Sequence, residues 1–179
     1  MPKYIAFLRA INVGGHTVKM DHLRKMFEKI GFDNVETFIA SGNVLFDAKA
    51  RSAKTLERLV EDALKTALGY QVATFIRTPA ELAEVAQYKP FKKADLEAAG
   101  NGLYITFVAD APSRESQKKL LSFTSAVDEF HVAGREVYWL CRQKISESKF
   151  SGALLEKTLG MSATMRNSTT VRKIAALCS

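Results

Sequence analysis

One order of periodic segments occurs twice along this chain, and a repeat of that kind leaves few folds open. The first copy begins with "KYIAFLRAI" (3–11), nearly all apolar on both alternating faces, as suits a central strand covered on each side. An amphipathic helix follows, with Met20, Leu23, Met26, Phe27 and Ile30 at helical spacing and Gly31 as its stop. The runs "VETFIA" and "NVLFD" meet through Ser41-Gly42, the mark of a tight hairpin. A second helix, "SAKTLERLVEDALKTALGY", ends at Gly69 and leads to the strand "QVATFIR". The second copy repeats the order. It runs through strand "LYITFVA", helix "SRESQKKLLSF" with Ser113 at its N-cap, strands "DEFHV" and "REVYWLC" joined through Ala133-Gly134, helix "SGALLEKTLG" and strand "ATMR". A closing helix, "STTVRKIAAL", has no counterpart in the first copy.

The order β-α-β-β-α-β is the split βαβ arrangement called ferredoxin-like. The expected fold class is α+β: two tandem ferredoxin-like halves with antiparallel sheets and an extra C-terminal helix. Residues 1–77 make the first half and 102–179 the second, with its extra helix. Residues 78–101 make a helical bridge that starts at Thr78-Pro79 and is stopped at Lys89-Pro90. In this topology the first two strands of a half run parallel, so the end of the first strand and the following hairpin share one edge of the sheet. Asn12-Val13-Gly14-Gly15 and Ser41-Gly42-Asn43 are therefore expected to be neighbours.

Composition narrows the function classes. With 47% apolar residues in 179, the chain fills a core, yet no apolar run nears the roughly 20 residues that span a bilayer. A strand that starts within three residues of the N-terminus leaves no room for a signal peptide, which predicts a cytoplasmic protein without a membrane partner. Cys141 and Cys178 stand apart, and His16, His22 and His131 are scattered, so zinc spacing and a Cys-His nucleophile have little support. No metal or cofactor is expected. The Walker and dinucleotide glycine patterns are absent as well. The net charge of +7 is uneven, because residues 142–179 hold seven bases against Glu147 and Glu156 alone. A basic end attracts phosphates and anionic polymers, or is simply the solvated face of a helix.

Gly14-Gly15, between strand and helix, reads first as a turn that needs positive φ and second as a cradle of backbone N–H groups for an anion. Arg9 falls within the two-sided apolar strand, where it must meet a carboxylate such as Glu36 or Asp47, backbone carbonyls or a bound anion. In "TMRNSTTV" (164–171), Asn167 or Ser168 caps the closing helix. Arg166 stands just before that helix, an arrangement that capping does not explain and that suits an anion.

The motifs "LRAINVGG", "V-x-M-x-x-L", "F-x-x-V-x-T-(F/Y)-I-x-SGNV-x-F" and "K-x-LG…ATMRN…V-x-K" resemble the bacterial family called domain of unknown function 1697 (DUF1697). The resemblance covers essentially the whole chain and is strongest at residues 4–46 and 154–175. It implies two tandem ferredoxin-like halves, and it implies no established activity, substrate or cofactor. The motif positions are Arg9, Asn12, Gly14, Gly15, Lys19, Ser41, Gly42, Asn43, Lys157, Thr164, Arg166 and Asn167. The family commonly carries a Trp-Asn pair after the Arg-Asn, where this chain has Ser168-Thr169.

Three functions follow as expectations. The first is a binding module for an anionic ligand, a phosphorylated small molecule or nucleic acid, at the loops 12–16 and 41–43. Its residues are Arg9, Asn12, Gly14, Gly15, Lys19, Ser41, Gly42 and Asn43, with Arg166 and Asn167 in the second half. The second is an enzyme in a cleft between the halves, with His16 as base and Lys19 or Arg9 stabilising charge, though no acid-base pair stands at a telling spacing. The third is a structural role, in which the polar motif residues pin turns and the protein acts through protein partners. The third strand, "SGNVLF", fits the RNA-recognition pattern badly: it lacks the leading base and supplies only Phe46 of the aromatics.

Overall fold

Each copy of the repeat builds a four-stranded antiparallel sheet with two helices on one face. The computed structural model describes residues 1–11, 17–38 and 42–179. The first copy comprises β1 (Lys3–Leu8), α1 (Met20–Ile30), β2 (Asp33–Phe38), β3 (Asn43–Asp47), α2 (Ala53–Leu68) and β4 (Thr74–Arg77), in the sheet order β2-β3-β1-β4. Two helices follow, α3 (Pro79–Gln87) and α4 (Lys93–Glu97). The second copy comprises β5 (Gly102–Val108), α5 (Arg114–Leu121), β6 (Asp128–Ala133), β7 (Glu136–Cys141), α6 (Gly152–Leu159) and β8 (Ala163–Asn167), in the order β6-β7-β5-β8. The closing helix is α7 (Ser168–Leu177). Tandem ferredoxin-like halves with an extra C-terminal helix are what the chain forms. By compactness it divides into residues 1–82 with 177–179, and residues 83–176. The segment 83–101 thus groups with the second unit.

Local chemistry explains where the helices begin and end. Ser52, Ser113 and Ser151 each accept a hydrogen bond from the backbone N–H three residues on, at the starts of α2, α5 and α6. Thr78 and Glu81 exchange bonds of 2.8 and 3.2 Å across the first turn of α3, a capping box with Pro79 at the first helical position. Gly31, Gly69 and Gly160 close α1, α2 and α6 in the left-handed conformation.

Strand alternation sorts the side chains. In β1, Tyr4, Ala6 and Leu8 face a core shared with Phe27, Leu56 and Val60 of the helices. Ile5 and Phe7, on the opposite face, are also buried, as the two-sided apolar strand requires. In the second unit Val108, Val137 and Trp139 join Leu120, Leu155 and Leu159, while Ile105, Phe107 and Tyr138 are buried on the other face. The Trp139 indole N–H donates to Asp128 at 2.8 Å, and Ser148 donates to the other oxygen of that carboxylate at 2.8 Å.

Two expectations change. The first strand ends at Leu8 and not at residue 11, because Ala10 turns the chain with a φ of 50°. Arg9 therefore lies past the strand and is exposed, not enclosed between two apolar faces. A short 3-10 turn at Ile145–Glu147 has no sequence signal of its own. Cys141 and Cys178 are free thiols. Among the described residues no helix is long and apolar enough to cross a membrane, and no group of three His, Cys, Asp or Glu side chains is placed to hold a metal ion.

Candidate functional site

The first-half motif places most of its described residues in the service of packing. Val18 and Leu23 flank the start of α1 and are both buried in the helix-side core, a hydrophobic staple that accounts for the "V-x-M-x-x-L" spacing. Phe32, Val35, Val44 and Phe46 lie in the same core, with the rings of Phe32 and Phe46 stacked at 4.4 Å. Phe46 is thus spent on the helix side and unavailable as a base-stacking platform on the sheet's other face.

Gly42 and Asn43 also have packing roles. The carbonyl of Gly42 accepts from the Leu8 N–H at 2.8 Å, so the end of β1 and the hairpin are neighbours, as the topology predicts. Gly42 has a φ of 83°, and a Cβ there would sit 3.0 Å from both Leu8 Cβ and Ile11 Cγ2. Asn43 is fully buried, and its side-chain N–H donates to the Phe38 carbonyl at 2.9 Å. Arg9 and Lys19 are exposed at either end of the segment 12–16, with Arg9 anchored through its backbone N–H to Ala73 O at 2.9 Å. Asn12, Gly14, Gly15, His16 and Ser41 lie outside the described residues. His22 is exposed.

In the second unit Arg166 is buried within β8, opposite Ile105. Its guanidinium donates to Thr164 Oγ1 at 2.7 Å and to Met165 O at 3.0 Å, and burial pushes its pKa down to about 10. The repeat supplies a twin that the sequence reading missed. Arg77, in the last strand of the first half, is buried opposite Ile5 and donates to the carbonyl of its own preceding residue, Ile76, at 2.9 Å. The matching "TFIR" and "ATMR" endings were the available signal. Asn167 caps α7: its side-chain oxygen accepts from the Thr169 N–H at 2.8 Å. Lys157 sits in the last turn of α6.

The sequence reading also missed a cleft of about 410 Å³ in the second unit. Its floor is the face of β5 that carries Leu103 and Ile105, its walls are the end of α3, the helix α4 and the first turn of α7, and Lys89, Lys93 and Arg172 stand around it. These cations are exposed and face one acid, Glu97, whose carboxylate lies 3.9 Å from the Lys93 ammonium. Arg172 is held over the first turn of α7, donating to Thr169 Oγ1 at 3.3 Å and to Ser168 Oγ at 3.5 Å. Thus Ser168 and Thr169 contribute hydroxyls to a cationic wall. Tyr88 also lines the cleft. Its hydroxyl is 2.8 Å from His131 Nε2, and its ring packs on Tyr138 at 5.1 Å.

Comparison with known proteins agrees with the fold and assigns no activity. The family described as protein of unknown function (DUF1697) matches residues 1–138. The solved structure of a conserved bacterial protein from Streptococcus pneumoniae is similar with a TM-score of 0.75 at 20% identity, covering 99% of this chain and 98% of that one. No curated protein matches in sequence.

Proposed function

Because the chain belongs to the family of unknown function DUF1697, whose name assigns no chemistry, we propose a function from the cleft of the second unit: the protein is a binding module for an anionic, phosphate-bearing ligand. The single observation that carries this reading is the convergence of Lys89, Lys93 and Arg172, against Glu97 alone, on a concavity of about 410 Å³. Pockets of that size suit small molecules. An arginine fork and two flexible ammonium groups supply charge-assisted donors to phosphate oxygens. The excess of bases from residue 142 onward raises the local concentration of anions around the unit.

Arg9 and Lys19, exposed residues that flank the segment 12–16 in sequence, are the competing site for the same ligand class, in the first unit. Calorimetric titration with inorganic pyrophosphate at low and high salt tests the proposal. Binding should weaken at least about tenfold, or 1.4 kcal/mol, in the double variant Lys93→Ala/Arg172→Ala. Equal affinity in that variant would remove the cleft from consideration, and heatless titrations at both salts would end the anion reading altogether.

A further inference from the structure

We propose that the ligand of this cleft is a small phosphomonoester carrying a flat aromatic ring; this rests on the anion-binding reading above and adds the class of the ligand's body. A phosphate ion alone would leave most of the roughly 410 Å³ to water, and part of the surface it left wet, at half-buried Leu96 and Leu103, is apolar. Leu103 and Ile105 project from one face of β5, two residues apart, and Leu96 of α4 and Val85 of α3 line the same space. Charge and apolar surface are divided between parts of the cleft: the cations are on exposed positions, whereas Ile105 and Val85 are buried and Leu96 and Leu103 half-buried. An amphiphilic anion matches that division, its head at the rim and its body on the floor.

Tyr88 points to a ring as the body. It is 41% exposed, unusually open for a large aromatic side chain in this chain, yet it is held at its tip by His131 and on its flank by Tyr138. An exposed ring fixed in orientation is a ready partner for a second ring, in offset or tilted contact. One such platform beside one confined cavity fits a single aromatic unit; a nucleic-acid strand would call for successive stacking rings along a basic track. The first turn of α7 is already capped by Asn167, so the head group is assigned to Lys89, Lys93 and Arg172 and not to the helix terminus.

Parallel calorimetric titrations of the full chain with inorganic phosphate, phenyl phosphate, phenol and a short single-stranded DNA test this. Phenyl phosphate should bind at least about tenfold tighter than inorganic phosphate, and Tyr88→Ala should shrink that ratio while leaving the affinity for inorganic phosphate in place. Leu96→Asn, a second and half-buried site on the α4 wall, should shrink it in the same way if Tyr88→Ala disturbs folding. Equal affinity for the two phosphates would overturn the ring while leaving the anion site standing. Phenol binding as tightly as phenyl phosphate would overturn both readings, as would no binding at all. DNA binding far tighter than phenyl phosphate would replace the small ligand by a strand.

Discussion

The two halves share a plan, and they differ in what has been added to it. Both have the same strand order, a glycine hairpin between the second and third strands, and a buried arginine opposite the first strand's isoleucine, at Arg77 and Arg166. Each copy's last strand also leads directly into a capped helix, α3 after β4 and α7 after β8; α4 alone has no match, and these three helices wall the cleft of the second unit. The repeated features are explained by folding. The proposed chemistry sits beside the one helix, α4, that the repeat does not match.

Substitutions in matched pairs sharpen or break this comparison. The largest effects belong to the two aromatic cores: Phe46→Ala and Phe150→Ala should each cost about 3–5 kcal/mol in chemical denaturation, since Phe46 packs on Phe32 and Phe27, and Phe150 on Trp139 and Phe130. The hairpin glycines should then diverge. Gly134 has a φ of 58° and open space where a Cβ would go, so Gly134→Ala should cost only the left-handed backbone penalty of about 1–2 kcal/mol. Gly42→Ala adds two 3.0 Å collisions and should cost more by about 1–3 kcal/mol; equal costs would deny the tight packing of that hairpin on Leu8 and Ile11.

Smaller still is the pH effect of Cys141, the last residue of β7, where the matching last residue of β3 is Asp47. Burial raises the thiol above its ordinary value of 9.0. The unfolded chain then loses its proton first, so the thiol's contribution is full below about pH 9 and is lost as pH rises through the raised folded value. Cys141→Val should flatten the alkaline limb of stability against pH, and an unchanged limb would assign it to other groups. Last, the guanidinium N–H groups of Arg77 and Arg166 should exchange with solvent more slowly than those of exposed Arg172 in nitrogen-detected NMR. A fast Arg77 beside a slow Arg166 would break the equivalence of the pair.

Much of the fold was legible in the sequence because periodicity marked the main strands and helices and local signals, such as the Ser113 cap and the glycine stops at Gly31, Gly69 and Gly160, agreed with it. The misreadings share a cause. The apolar run "KYIAFLRAI" carries no local mark of its end at Leu8, because the turn is made by Ala10, a residue with no special preference for positive φ. The site was less legible than the fold. Motif residues such as Asn43 and Gly42 looked functional from their type and are held by packing and a carbonyl at Phe38. The cleft was invisible because its cations are spread from Lys89 to Arg172, over the connection after α3 and the helices α4 and α7, and no short spacing announces surfaces brought together by tertiary folding.

A nitrogen-15 correlation NMR titration with phenyl phosphate tests the cleft most directly, since it reads both halves at once. Shifts should concentrate at Tyr88, Lys89 and Lys93, at Asn101 to Leu103, and at Ser168 to Arg172, and should disappear in Lys93→Ala/Arg172→Ala. Shifts confined to Arg9, Lys19, Gly42 and Asn43 would move binding to the repeated half and refute the cleft as the site.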